Sequence, residues 1–194
     1  MFVAESSGLY RWPLVRIRAG GETEVVLLSE KWLPLTVHWA KRSLLCAHDK
    51  CPLCSWLPAR GLYYAAVSFG SRASMLELGA LSSSLIEQHC GLLHQGMRPG
   101  LRLRLWRSSQ KAPVHGEVVG VIEDAKAIDA RELAIRVMAL YQMPGPNPCE
   151  EWDAWQERLC LLARRRAEVA VREIEGRAMG DAVRLAEKVK RSAS

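Results

Sequence analysis

Residues 38–54 read HWAKRSLLCAHDKCPLC, placing three cysteines and two histidines within reach of one another. Thiolates and imidazole hold zinc tightly when four of them converge as a tetrahedron, and Cys-x-x-Cys is a spacing that lets one tight turn aim two sulfurs at one ion. Cys51-Pro-Leu-Cys54 has that spacing, and Cys46 stands close enough to give a third sulfur. The fourth ligand is either His38 or His48. His48 shares a very short segment with Cys46, which would have to fold sharply to bring both side chains to one ion. A histidine on the approaching strand closes a longer loop, so His38 is preferred and His48 stays as the alternative. A redox dithiol is the rival reading. A third cysteine and two histidines favour metal over it, and the βαβ surroundings of a thioredoxin motif are absent. Cys90, Cys149 and Cys160 stand isolated in helical patterns and read as inert thiols. With three thiolates and a histidine filling the shell, a zinc ion here is expected to be structural rather than catalytic.

Outward from the cluster the pattern has the period of strands. Val15 and Ile17 alternate with Arg16 and Arg18, and Gly20-Gly21 supplies a turn. Apolar stretches at 24–29 and 34–39 follow, as two strands or as one strand bent near Pro34. Beyond the cysteines, 62–69 and 74–78 read as strands, and a serine at 82–84 caps a helix expected to run to about His94. Two more strands, 101–107 and 117–122, complete this part. Strands, helix, then two strands is the order of a five-stranded OB barrel. The expected fold class is therefore mainly β with α: an OB-like barrel over residues 1–125 carrying a zinc-binding insertion at 38–54, then a helical C-terminal extension over 126–194.

A His-Cys-Cys-Cys site inside an OB-type domain resembles the zinc-containing single-stranded DNA-binding proteins, such as the helix-destabilising protein of T-even phages. On that resemblance His38, Cys46, Cys51 and Cys54 are the ligands of Zn2+, and single-stranded DNA is the partner. The spacings here are shorter, and a basic helix stands where that family carries an acidic tail.

The segment LRLRLWR at 101–107 supports a nucleic-acid partner from the residues themselves. Leu101, Leu103 and Leu105 point one way, leaving Arg102, Arg104 and Trp106 on the outer face. Guanidiniums beside an indole pair phosphates and stack bases, as in sequence-tolerant single-strand binders. Arg16 and Arg18 offer a matching face, and because the first and fourth strands of an OB barrel pair, the two faces are expected to join in one groove. Lys41, Arg42, Lys50 and Arg60 surround the cysteines, and Trp39, Trp56, Tyr63 and Tyr64 are stacking candidates. A formal net charge of +6 agrees with an anionic partner. The bland alternative makes the arginines solvated strand positions that discourage edge pairing.

After residue 125, Asp129 and Glu132 form a capping-box-like start to a helix ending near Pro144, and a second helix is expected from Pro148 with Trp152, Trp155, Leu159 and Leu162 in a stripe. Arg164, Arg165, Arg166, Lys188, Lys190 and Arg191 alternate with glutamates, as solvated or partner-docking helices do. No nucleophile elbow, phosphate-binding glycine loop or His-Glu-x-x-His is present, so a non-enzyme is expected. The start of the chain lacks the pattern of a secretion signal, and no apolar run approaches the length of a membrane span; a cytoplasmic protein is expected. The functional expectation is a zinc-stabilised protein that binds single-stranded nucleic acid, DNA over RNA, in replication, recombination or mobile-element (including phage) biology. The rival is a protein–protein adaptor whose helical tail docks to a larger nucleic-acid-processing complex.

Overall fold

The computed structural model describes residues 12–92 and 96–192. The expected helix end at His94 lies outside them, as do the side chains of Lys50, Lys188, Lys190 and Arg191. Among the described residues there are eight strands: β1 Leu14–Val15, β2 Glu22–Leu27, β3 Leu33–Ala40, β4 Arg42–Leu45, β5 Ala59–Phe69, β6 Arg72–Gly79, β7 Leu101–Trp106 and β8 His115–Val121. The helices are α1 Ala80–His89, α2 Ala130–Leu140 and α3 Trp152–Ser192. Among the described residues, no helix is long and apolar enough to cross a membrane.

The chain folds into two compact units that interleave in sequence: residues 1–35 with 61–150, and residues 36–60 with 151–194. The first unit is a sheet in the order β1-β6-β5-β2-β7-β8. The sheet is open, not the closed five-stranded barrel that the element order suggests. Its β1 is short and pairs in parallel with β6, Leu14 opposite Met75 and Val15 opposite Leu76. β7 lies instead between β2 and β8, antiparallel to both. The arginine faces of residues 16–18 and 102–104 therefore do not lie on paired strands, and the groove expected from that pairing is corrected on this point.

Alternation decides the core of this unit. Leu101, Leu103 and Leu105 of β7 join Val25 and Leu27 of β2, Ala65 and Val67 of β5 and Leu76 and Leu78 of β6 in one buried cluster with Ile86 of α1. The register Arg102/Leu103 carries an irregularity against β8 without disturbing the inward leucines. Helix α1 starts two residues before the expected serines. Ser82 and Ser83 lie buried inside it, Ser82 Oγ accepting from the Val114 amide at 2.9 Å and Ser83 Oγ donating to the Ala80 carbonyl at 2.9 Å. Helix α2 begins where its capping residue predicts, the Asp129 carboxylate accepting from the Glu132 amide at 2.9 Å. On the sheet face opposite Ala65, the fully buried Tyr64 hydroxyl donates to Glu77 at 2.8 Å and shares a hydrogen bond of 2.7 Å with the Tyr141 hydroxyl.

The second unit holds the cysteine segment. The β3–β4 hairpin pairs Val37 with Leu45 and Ala40 with Arg42, leaving Lys41 alone at its apex. Two 3-10 turns follow, His48–Lys50 and Pro52–Ser55. Helix α3 starts at Trp152 rather than Pro148, and runs unbroken through Gly176. Trp155, Leu159, Ala163, Ala167 and Ala170 form its buried stripe. It packs on β4 and on the turn Pro52–Ser55, where the alanines let the backbones approach closely.

Candidate metal centre

The geometry of residues 36–57 follows from a few local constraints. Alternation along β3 turns His38 inward, where it is fully buried, and Trp39 outward. The Cys46 amide returns to β3 by donating to the Thr36 carbonyl at 2.8 Å. Tight turns then stack the remaining cysteines. The Cys51 amide donates to the His48 carbonyl at 2.9 Å and the Cys54 amide to the Cys51 carbonyl at 3.2 Å. Pro52 occupies the first turn of its 3-10 segment, where a missing amide costs nothing.

These constraints bring one nitrogen and three sulfurs, from His38, Cys46, Cys51 and Cys54, within 4.8 Å of one another. The donor set fits a tetrahedral ion in its dimensions as well as its chemistry. With sulfur at about 2.3 Å and imidazole nitrogen at about 2.05 Å from a central ion, a regular tetrahedron has S···S edges of about 3.8 Å and S···N edges of about 3.6 Å. The Cys46–Cys54 sulfurs stand 3.7 Å apart, and the Cys51 and Cys54 sulfurs lie 3.5 and 3.6 Å from His38 Nε2. All three edges agree with that tetrahedron.

A supporting contact orients the histidine. His38 Nδ1 lies 3.1 Å from the Leu57 carbonyl oxygen, which can only accept, so Nδ1 carries the proton and Nε2 presents its lone pair to the sulfurs. His48, the alternative ligand, is exposed, takes a left-handed backbone with φ of 53°, and contributes its carbonyl rather than its ring to the cysteine turn. His38, not His48, is the histidine of the cluster.

The thiols are unequal. Burial pushes the Cys46 thiol up to about 12, against a lowering hydrogen bond from the His48 amide. Burial acts in the same sense on Cys51. There the Ala47 and Leu53 amides and the neighbouring thiols outweigh it, and hold the group below its ordinary value of 9.0. Amides donating to sulfur stabilise the thiolate, and a divalent cation at the centre removes the burial penalty for the others. Cys54 is the one exposed member.

The strand arginines look different once their neighbours are in view. Arg16 donates twice to Glu77, at 3.0 and 3.3 Å. Arg102 donates to Glu24 at 2.8 and 3.0 Å. Arg104 meets three carboxylates, Glu22 at 3.1 Å, Glu24 at 3.3 Å and Glu117 at 3.0 Å. Register explains this, because Glu24 and Glu117 stand directly opposite Arg104 on β2 and β8. The Arg102 guanidinium holds the Glu24 carboxyl below its usual value, and the Glu24 hydrogen bond holds Arg104 above its own. Trp106 stacks on His115 with ring centres 6.1 Å apart. Arg18 is exposed just beyond β1, Tyr63 is half-buried opposite Leu78, and Tyr64 is fully buried and so lost as a stacking platform. The alternation Glu22-Thr-Glu24 was the sequence signal for this ladder, but cross-strand register is needed to read it.

The second unit carries the contrasting surface. Lys41, Arg42 and Arg60 are exposed, and so are two indoles, Trp39 at 57% and Trp56 at 48%. No protein-family profile, no curated protein and no solved structure matches this chain.

Proposed function

We propose that this protein is a zinc-stapled binder of single-stranded nucleic acid, single-stranded DNA foremost, with little sequence preference. The observation that carries the reading is the pair of exposed tryptophans, Trp39 and Trp56, set around the metal ligands among Lys41, Arg42 and Arg60. Exposed indoles offer flat faces to a nucleic-acid base, and base stacking is an interaction that tolerates any sequence. Zinc is the ion favoured by a donor set of one imidazole and three thiolates, and its role is to fix a hairpin too short to hold itself. Cysteine thiolates as ligands suit a reducing, cytoplasmic compartment. The paired state of Arg16, Arg102 and Arg104 moves the proposed contact surface away from the strand face and onto this hairpin. The reading needs no closed barrel. A part in replication, recombination or the biology of phages and mobile elements is the setting in which such an activity serves.

A fluorescence-anisotropy titration of zinc-assayed protein with labelled oligothymidine and with a duplex, at low and moderate salt, tests the reading. Preference for the single strand is expected, weakening with salt, and Trp39→Ala or Trp56→Ala is expected to cost about 1–3 kcal/mol for each base that loses its platform. Folded, metal-loaded protein with no affinity for either probe would refute it. That result would leave a second reading, an adaptor docking through α3, which the exposure of Leu161 (62%) and Met179 (71%) favours.

A further inference from the structure

A cleft of about 160 Å3 opens within the second unit, between the β3–β4 hairpin and α3. Its lining combines the apolar Leu44, Leu57 and Val169 with the basic Lys41, Arg42 and Arg177. Pockets for drug-sized ligands run to roughly 300–1,000 Å3, so this smaller space suits a single small ring system that carries a charged group. Glu173 also lines it, but it is engaged with Arg177 at 3.5 Å in an exposed pair of the kind that contributes little and yields readily to a stronger anion.

The backbone at Lys41 gives an independent indication. Lys41 is the single residue between the paired Ala40 and Arg42, and its φ is 61°. That left-handed conformation suits glycine or asparagine, and a lysine there carries strain which a glycine would not. Strain of this kind persists where the surrounding structure holds it, here the pairing of Ala40 with Arg42 on either side, and it clusters at ligand clamps as well as at tight turns. Lys41 at the hairpin apex and Arg177 of α3 both line the cleft, so a lysine and an arginine come to it from two different elements.

Resting on the single-strand reading above, we propose that this cleft seats one nucleotide of the bound strand, its base against Leu44, Leu57 and Val169 and its phosphate held by Lys41, Arg42 and Arg177. The cleft thereby sets the register of the strand on the hairpin face that Ala40, Arg42 and Leu44 share.

Lys41→Gly separates this role from a structural one, because it relieves the backbone while removing the cation. Oligothymidine titrations over a salt series, with thermal unfolding of the same samples, are the experiment. Lys41→Gly is expected to unfold at or above the wild-type temperature yet bind several-fold more weakly, with a salt slope lower by roughly 0.7, the contribution of one single-strand phosphate contact. Arg177→Gln on α3 should move affinity and slope the same way, and decides the matter if Lys41→Gly folds poorly. Arg72→Gln, an exposed charge of β6, should change neither. Wild-type binding with Lys41→Gly and Arg177→Gln indistinguishable from it would overturn the cleft and leave the single-strand reading intact. Wild-type protein that ignores oligothymidine would overturn both. Equal, Lys41-dependent capture of a polyglutamate peptide would make the cleft an acidic-peptide site and overturn it as well.

Discussion

His38 has a carbonyl oxygen on one ring nitrogen and two sulfurs beside the other, an arrangement that fixes its tautomer and its direction together. The same economy governs Tyr64. Its hydroxyl is fully enclosed, donates to Glu77, and is met by the Tyr141 hydroxyl. Burial drives its ionisation far above the ordinary tyrosine value, so it stays a neutral donor at any pH the fold survives. Tyr64→Phe keeps the ring and deletes one buried hydroxyl, leaving the Glu77 oxygen without that donor. A loss of about 0.5–1.5 kcal/mol in urea unfolding is expected, the net worth of one hydrogen bond, because Arg16 still donates to that Glu77 oxygen at 3.3 Å. A change within experimental error would mean that water replaces the hydroxyl. The ligand residues themselves were legible in the sequence, since Cys46, Cys51 and Cys54 crowd together and His38 stands on an apolar strand. What was not legible is the Leu57 carbonyl, because a supporting contact between a side chain and a distant backbone atom leaves no mark on composition.

Among the elements, β7 was the easiest to read and the easiest to misread. Its leucines fall inward as alternation requires, at 6%, 0% and 0% exposure. Its arginines sit outward as expected, but Glu24 and Glu117 stand opposite Arg104, and Arg102, opposite Val26 and Gly120, reaches Glu24 diagonally. The ladder has a pH signature. The Glu24 carboxyl is lowered chiefly by its Arg102 hydrogen bond, so its folded value lies below its unfolded one. Its contribution is complete above the ordinary carboxyl value of 4.5, and is lost as pH falls through the lowered value. Glu24→Gln, which cannot ionise, should therefore lower stability slightly at neutral pH and flatten the acid limb of the stability profile. An acid limb identical in Glu24→Gln and wild type would show that the ladder adds nothing. Helix α3 continues through Gly176 and its charged runs without a break. A Cβ at Gly176 would meet open space, so the glycine marks no close approach there, and one glycine costs too little to break a long helix.

At the scale of the whole chain, the two units are discontinuous in sequence: residues 36–60 belong with 151–194, and residues 1–35 with 61–150. Local periodicity carries no sign of such joining, since it arises from α3 packing on β4 and on the turn Pro52–Ser55, distant from it in the chain. The metal centre sits wholly within the discontinuous second unit, and its ligands close the loop between β3 and that turn. An ion bound there would add folding free energy to a segment otherwise held by a short hairpin, two 3-10 turns and the packing of α3. The proposed stacking surface and the nucleotide cleft both stand on or beside elements that carry these four side chains, so an ion bound there would steady the proposed contact surface as well as the hairpin.

Elemental analysis of protein purified without chelator is therefore the most direct measurement, made on the wild type and on Cys51→Ser and His48→Gln, with cobalt substituted into the wild type to report coordination geometry. One zinc per chain is predicted, retained in His48→Gln and lost in Cys51→Ser, with cobalt absorption of the intense tetrahedral, thiolate-ligated kind. Folded wild-type protein containing no stoichiometric metal, or losing it on His48→Gln, would contradict the account.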